Sequence, residues 1–455
     1  MADALAGRVL VCGVGVAGAS AARALLRRGA RVELTATKEG PAVAALVDAG
    51  ARWLGPLTQL PTGFDLVVAS PGLRPTDPVL VTADAEGVPV WGEVELAWRL
   101  RGESAAPWLA LTGTNGKTTT VHMLEAMLAA AGLRGVAVGN VGVPLIDAVL
   151  ADPPYDVLAV EVSSQQLHFA PSIAPAAGAL LNIAPDHLDW HGSLDAYAQT
   201  KTVVWQAGVA IGNADDPRVA ALLPAGGVGF TLREPAGGQF GVRDGALVSR
   251  AFGDDGVELA AVAEVRPAGG HNVANALAAA ALARAFGVPA AAVAQGLREF
   301  TPDPHRNALV GEWNGVRWVD DSKATNPHAA QASLAAASSV VWVAGGQLKG
   351  VVIDDLVAAM APRLRAAVLL GQDRALVAAA LARHAPDVPV FVVDTTDDGA
   401  MTEVVAAAAG FARPGDTVLL APAAASYDMF ANFGARGDAF AAAARALAGQ
   451  HGVTA

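Results

Sequence analysis

Short apolar runs, glycine-marked turns and alanine-rich helical stretches alternate along the chain, and that alternation predicts an α/β protein. Residues 7–34, "GRVLVCGVGVAGASAARALLRRGARVEL", predict strand, glycine turn, helix and strand. "FDLVVASPGLRP" adds a buried strand that stops at the turn Ser70-Pro71-Gly72. A second block predicts strands at "WLALTG", "RGVAVGN" and "DVLAVEVSSQQL", with a helix running on from Lys117. Between about residues 211 and 265 the pattern shifts to short strands and turns, "GGVGFTL" and "GQFGVRDGALV" among them, which predicts a β-rich excursion. "GGHNVANALAAAALARAFG" restores a helix. From residue 304 onward, "VRWVDDS", "SVVWVAGG", "AAVLLGQ", "PVFVVD" and "DTVLLAP" predict strands separated by Ala-rich helices. "RGESAAP" and "FTPDPHRN" have linker composition, which divides the chain into residues 1–104, 105–303 and 304–455. The expected architecture is a Rossmann-like N-terminal domain, a central P-loop ATPase-like domain with a parallel sheet and a small β-rich excursion, and a C-terminal Rossmann-like α/β domain.

Length agrees, since 455 residues suggest about three domains. Hydrophobic residues make up 53% of the chain and aromatics only 5%, so alanine carries much of the apolar content and helix-rich layers are favoured over an all-β sandwich. A formal net charge of −12 argues against a nucleic-acid binder but leaves room for a locally basic pocket. Cys12 is the single cysteine, so an intrachain disulfide or a cysteine-cluster metal site is excluded. Two stretches imitate membrane or export signals. Residues 9–22 are apolar, but Asp3 precedes them and their glycines fall at phosphate-turn spacing. Residues 326–348 carry no formal charge, yet Asn326, Pro327, His328 and Gln331 interrupt them. The expectation is a cytoplasmic protein, monomeric and without membrane insertion.

The first candidate site is Gly13-Val14-Gly15-Val16-Ala17-Gly18, a G-x-G-x-x-G turn that opens a helix, where backbone can approach a phosphate beside the positive helix end. A dinucleotide reading also wants an acid at the tip of the next strand. Here Glu33 comes too early and Thr35, Thr37 and Lys38 occupy the tip, so a nicotinamide enzyme is disfavoured and a nucleotide diphosphate remains open. The second site is stronger. Gly113-Thr114-Asn115-Gly116-Lys117-Thr118 follows a strand and precedes a helix, as a phosphate cradle requires. Lys117 would neutralise the β/γ end of ATP or GTP, and the Thr118 hydroxyl suits Mg²⁺. Leu111 stands where the full G-x-x-x-x-G-K-[ST] pattern has its first glycine.

Downstream, Glu161 ends an apolar strand, either as a metal carboxylate or as an ordinary strand-end acid. His187 sits among Asp186, Asp189 and His191 without a convergent third zinc ligand, so lining a nucleotide–metal cleft is the better reading. Lys201, in "YAQTKTVVW", reads equally as a helix-surface lysine.

The segments "TGTNGKTT", "EVSSQQL", "NIAPDHLDWHG", "GGHNVANALAA", "PHRN", "DDSKATNP", "AGGQLKG" and "APAAASYDMFANFGARGDAF" follow one another over nearly the whole chain, and in that order they resemble the Mur ligase family of cell-wall peptide synthetases. "TNGKTT" and "SYDMFANFGARG" resemble its D-glutamate-adding members. The resemblance implies an ATP-dependent ligase joining D-glutamate to UDP-N-acetylmuramoyl-L-alanine through an acyl phosphate. It implies that Gly113, Thr114, Asn115, Gly116, Lys117, Thr118 and Thr119 cradle the ATP phosphates, with Asn272 near adenine, Arg306 at the γ-phosphate and Asp321 at the ribose. Closure between domains would then complete the site and exclude water. It implies two Mg²⁺ ions served by Thr118, Glu161, His187 and a carbamylated Lys201. Gly15, Ala17, Thr35, Ser70, Gly72, Asn140 and Ser163 fall to the UDP-sugar, and Thr325, Lys349, Ser426, Tyr427 and Phe433 to D-glutamate. From the residues alone, Ser426 could instead cap a helix and Phe433 could be core.

Three competitors remain open at this stage. A folylpolyglutamate-type ligase would share the "TGTNGKTT" turn but leave the opening glycine fingerprint unexplained. A dinucleotide-dependent dehydrogenase would leave Lys117, Glu161 and Lys201 without a task. A nucleotide-binding switch would not release phosphate in response to an amino acid and a UDP-sugar.

Overall fold

The computed structural model describes residues 5–102, 105–206, 208–395 and 399–450. The expected boundary at residue 104 falls outside the described residues. Residues 1–265 with 273–300 form one compact unit, and residues 266–272 with 301–455 form a second.

In the first unit, β1 (Arg8–Cys12), β2 (Arg31–Thr35), β3 (Arg52–Trp53), β4 (Leu66–Ala69) and β5 (Val90–Trp91) make an all-parallel sheet of order β3-β2-β1-β4-β5. A second sheet is built from β6 (Trp108–Thr112), β7 (Gly135–Gly139), β8 (Val157–Glu161), β9 (Ala177–Leu180), β10 (Val209–Asn213), β11 (Val228–Phe230), β12 (Gln239–Arg243), β13 (Ala246–Ser249) and β14 (Val257–Ala261). Its order is β14-β13-β12-β11-β10-β9-β6-β8-β7. The pairings from β7 through β12 are parallel, and β12-β13-β14 is an antiparallel meander, the β-rich excursion expected from the sequence.

Central strands of this sheet are buried on both faces, which is why β6 and β8 read as continuous apolar runs rather than alternating ones. The helix Gly270–Ala285 shows the same logic, with Ala276 to Ala283 all at 0% exposure. Alanine lets backbones approach, and glycine does so further. A Cβ on Gly296 would lie 2.5 Å from Met127 Cα, so the helix Ala290–Glu299 rests almost directly on the backbone of the helix Lys117–Ala130. That seat fixes the helix whose N-terminus ends the Gly113–Thr118 turn.

The second unit carries β15 (Ala308–Trp313), β16 (Val316–Asp320), β17 (Val340–Ala344), β18 (Leu364–Leu369), β19 (Val390–Val392) and β20 (Thr417–Leu420), in the order β15-β16-β20-β17-β18-β19. Only β15 runs antiparallel to its neighbour. β20, last in the chain, inserts between β16 and β17, so their C-terminal turns converge at a topological switch point where α/β sheets bind ligands.

Within the first unit the two sheets share a core in which Val9, Leu25 and Val94 meet Trp108, Leu145 and Val160. Two buried carboxylates on the helix Glu93–Leu100 bridge the layers. Glu93 accepts the Ile146 N–H at 3.1 Å, and Glu95 accepts Ser172 N at 3.0 Å and Arg99 Nε at 2.8 Å. Burial pushes the Glu93 carboxyl up to about 7 from its usual 4.5, against the lowering effect of the Ile146 and Leu145 N–H groups.

A raised carboxyl favours the folded state while protonated, so its contribution is full below the unfolded value and is lost as pH rises from 4.5 through about 7. The loss is on the order of 3 kcal/mol if the shift is fully expressed. Glu93→Gln keeps an acceptor and removes the titration. Thermal melts from pH 5 to pH 8 should therefore show the variant gaining on the native chain as pH rises; a constant difference would contradict this.

Candidate functional site

The Gly113–Thr118 turn sits where the second sheet reverses direction, at the C-terminal end of β6 between β8 and β9. Leu111 belongs to the strand itself, which explains the missing first glycine: the loop begins only at Gly113. Gly116 has φ +82°, and a Cβ there would lie 2.3 Å from Asn275 Oδ1, so the turn requires glycine on two counts. The chain then enters the helix Lys117–Ala130, whose first N–H groups have no intrahelical partner and point at the loop.

Neighbouring residues hold the turn from outside. Asn182 accepts the Asn115 N–H at 2.8 Å and donates back to Asn115 O at 3.0 Å. Thr114 is buried, its hydroxyl 3.0 Å from Tyr197 OH and accepting Ala184 N at 3.0 Å. The side chain of Thr114 is thus committed to the scaffold, and only its backbone faces the cradle's task. Thr119 is buried and Thr118 is half-buried on the same helical turn.

Two lysines converge on one carbonyl. Lys117 Nζ donates to Gly113 O and to Thr114 O, each at 3.0 Å. Lys201 Nζ donates to the same Gly113 O at 2.9 Å and to Thr112 Oγ1 at 3.2 Å. Lys201 is 1% exposed, so the surface-lysine alternative is excluded. Burial and the charge of Lys117 drive its amine well below the ordinary lysine value, against the opposing pull of Asp186 and Glu161. Both direct partners of Lys201 are neutral oxygens.

Glu161 closes β8 and is buried. Its Oε1 accepts Asn140 Nδ2 at 2.8 Å, while its buried Oε2 has no hydrogen-bond partner. An orphaned carboxylate oxygen fits a divalent cation, and the Thr118 hydroxyl suits the same hard ion. Among the described residues no three His, Cys, Asp or Glu side chains converge on a metal position. His187 has φ +50° and is half-exposed, with Nε2 3.6 Å from Asp186 Oδ2. His191 hydrogen-bonds Ser164 Oγ at 2.9 Å, and burial with nearby His168 and Lys201 lowers it to about 4.

Of the candidates on the first sheet, Gly15 caps the helix Val16–Arg27, with Ala17 in its first turn. Ser70 and Gly72 lie at the turn after β4, partly exposed and exposed respectively. Thr35 is buried and donates to Gly55 O at 2.8 Å, and Glu33 pairs with Arg8 at 2.7 Å. Ser163 caps the helix Ser164–His168 in a reciprocal box with Gln166, so its hydroxyl is already engaged.

In the second unit, Arg306 stands between His305 at φ +62° and Asn307 at φ +49°. Its Nε binds Asp303 at 3.2 Å. Asp321 accepts Asn307 N at 3.2 Å and the Ser333 hydroxyl, and burial lifts it to about 6 against those bonds and the nearby Arg306 charge. Asn272 is buried in the first turn of its helix, 3.0 Å from His271 Nε2. Thr325, Lys349, Ser426 and Tyr427 lie on the turns after β16, β17 and β20, which backbone bonds lace together: Ala423 N to Ala324 O at 2.9 Å, and Gln347 N to Ala425 O at 2.8 Å. Lys349 Nζ lies 5.9 Å from the ring centre of Tyr427, and Lys323 Nζ 4.0 Å from that of Phe433. Phe433 opens the last helix and is partly exposed, not core; Ser426 is buried seven residues before that helix and does not cap it.

Sequence reasoning missed Asn182, Tyr197, Asn275, His305 and Arg436. Tyr197 was readable as the i−4 neighbour of Lys201 on one helical face. Asn182 and Asn275 carry no local signal, because their partners are 67 and 159 residues away in sequence.

Family models agree with this layout. One described as the Mur ligase MurD-like N-terminal domain matches residues 7–92, the Mur ligase middle domain matches 111–283, and the Mur ligase glutamate ligase domain matches 305–424. The chain is 54% identical to the UDP-N-acetylmuramoylalanine–D-glutamate ligase of Streptomyces coelicolor, covering 96% of this chain and 98% of that one. It is 56% identical to the enzyme of that name from Thermobifida fusca, with 97% and 99% covered. Among solved structures, the UDP-N-acetylmuramate-alanine ligase of Thermotoga maritima superposes with a TM-score of 0.57 over 98% of this chain and 99% of that one, at 18% identity, a likeness of fold alone.

Gly116→Ala should lower kcat/KM for ATP by about tenfold or more, since it strains a positive-φ position and displaces Asn275. ATP-dependent phosphate release measures this, and native turnover would contradict the geometry above.

Proposed function

This chain belongs to the Mur ligase family, and from that membership together with the site we infer how it adds D-glutamate to UDP-N-acetylmuramoyl-L-alanine, with ATP, in peptidoglycan precursor synthesis. The observation that carries the mechanism is the pair of lysines on Gly113 O beside the orphaned Glu161 oxygen.

A carboxylate is a poor acyl donor because its leaving group would be oxide. Transfer of the γ-phosphoryl group to the alanyl carboxylate makes an acyl phosphate; the amine of D-glutamate then attacks that carbonyl, and phosphate leaves as the amide forms. The first step brings two anions together, at a cost of about 4 kcal/mol for a separation of roughly 4 Å at an effective dielectric near 20. Lys117 supplies a fixed cation against that repulsion, and the N–H groups at the helix start bind phosphate oxygens without reorganising. Thr118, Glu161, His187 and Lys201 would hold Mg²⁺, as two ions, which when bound supplies further positive charge between the anions. Gly113 to Thr119 form the ATP cradle; Asn272 is assigned to adenine, Arg306 to the γ-phosphate and Asp321 to the ribose. Gly15, Ala17, Thr35, Ser70, Gly72, Asn140 and Ser163 serve the UDP-sugar. Thr325, Lys349, Ser426, Tyr427 and Phe433 hold D-glutamate. The three domains divide near residues 104 and 303. Among the described residues no helix is long and apolar enough to cross a membrane, and the working form is a cytoplasmic monomer.

Lys201 is proposed to act as its carbamate. Carbamylation needs a neutral amine: nitrogen attacks CO₂, an N–C bond forms, and one proton leaves. The buried amine of Lys201, its proton affinity lowered, suits that need, and the product puts an anion where the amine stood, beside the metal position. Lys201→Ala should lower turnover by about a hundredfold or more, and millimolar short-chain carboxylic acids should restore part of it. Unchanged turnover in the variant would discard the role.

A further inference from the structure

Arg436 is 1% exposed, and none of its hydrogen bonds ends on a carboxylate. Nε donates to Ser322 Oγ at 3.0 Å and Nη2 to Ser322 O at 2.9 Å, on the turn after β16. Nη1 donates to Ala424 O at 3.1 Å, after β20, and to Gly345 O at 3.4 Å, after β17. Ser322 Oγ passes the constraint on by donating to Phe433 O at 2.7 Å. One planar fork therefore ties together the three turns that carry Thr325, Lys349 and Ser426, and through Ser322 the residue Phe433 as well.

We propose that Arg436 is a positioning residue for the amino-acid pocket, setting the spacing of its three turns. The proposal rests on the reading that Thr325, Lys349, Ser426 and Phe433 hold D-glutamate. Two carboxylates, Asp428 and Asp320, lie near enough to favour the charged guanidinium, but neither accepts a hydrogen bond from it: Asp320 binds His305 at 2.6 Å and Ser322 N at 2.9 Å, and Asp428 binds Gln372 N at 2.7 Å, so the fork is left to the three turns. Lysine cannot replace this group, since a single ammonium cannot reach acceptors on both ends of the fork.

Steady-state kinetics on the full chain test this, with Arg436→Lys, Ser322→Ala and Lys349→Ala measured side by side. Arg436→Lys should raise KM for D-glutamate by about tenfold and Ser322→Ala by about threefold, with kcat and the KM values for ATP and the UDP-substrate changing by less than about twofold. A general loss of structure would instead spread over all three substrates. If Lys349→Ala raises KM for D-glutamate while Ser322→Ala and a folded Arg436→Lys leave it unchanged, the pocket stands and the role of Arg436 falls. If Lys349→Ala also leaves it unchanged, the pocket lies elsewhere and both readings are overturned. Should Arg436→Lys fail to fold, Ser322→Ala alone decides, because it removes one link from each chain without emptying a large volume.

Discussion

Two ammonium groups on one carbonyl oxygen cannot both be comfortable, and the Gly113 carbonyl accepts both Lys117 and Lys201. The strain is resolved unequally. Lys117, partly exposed at the mouth of a helix, keeps a charge that phosphate can meet. Lys201, sealed beneath Tyr197 and Thr112, gives way: burial and the charge of Lys117 hold its proton affinity well below that of an ordinary lysine. Both roles derive from the position of Gly113, and that position comes from β6 stopping at Thr112, level with the end of β9 at Leu180 and one residue past the end of β8 at Glu161.

The same constraint explains why so much of the surrounding structure is devoted to holding a six-residue loop. Asn182 from the segment just after β9, Tyr197 from the helix Leu194–Lys201 and Asn275 from the helix Gly270–Ala285 each meet the turn from a different side. These side chains are themselves uncharged, so they add rigidity without placing a carboxylate against the lysines of the turn. An acidic chain of net −12 can bind polyanions only where such local arrangements survive, which makes the neutrality of these braces as important as their number.

What was legible in the sequence follows from how local each signal is. Strand–turn–helix units such as residues 7–34 and 107–130 announce themselves because apolar runs, glycine and helix formers are adjacent. Sheet order does not, since the insertion of β20 between β16 and β17 depends on the packing of strands about a hundred residues apart. Lys201 illustrates the limit within one residue. Its place on a helix was readable, but whether that face met solvent or a phosphate loop was set by β6 and β9, far upstream. Thr35 and Ser163 show another limit: their types suit ligand contact, but the bonds their hydroxyls make to Gly55 O and in a helix cap were not legible in the sequence.

Lys201 and Arg436 are both buried basic side chains, and their difference is one of proton affinity. An amine can lose its proton when burial makes charge expensive, and so becomes a nucleophile. A guanidinium does not reach that point: burial lowers Arg436 only to about 10, so it stays charged at neutral pH and must be solvated by the protein. Four oxygen acceptors provide that solvation, and because they lie on three separate turns, solvating the charge and fixing the pocket become one act. Exchanging the two residues would fail on both counts, since an arginine on Gly113 could not become neutral and a lysine beneath the three turns would lose either its charge or its reach.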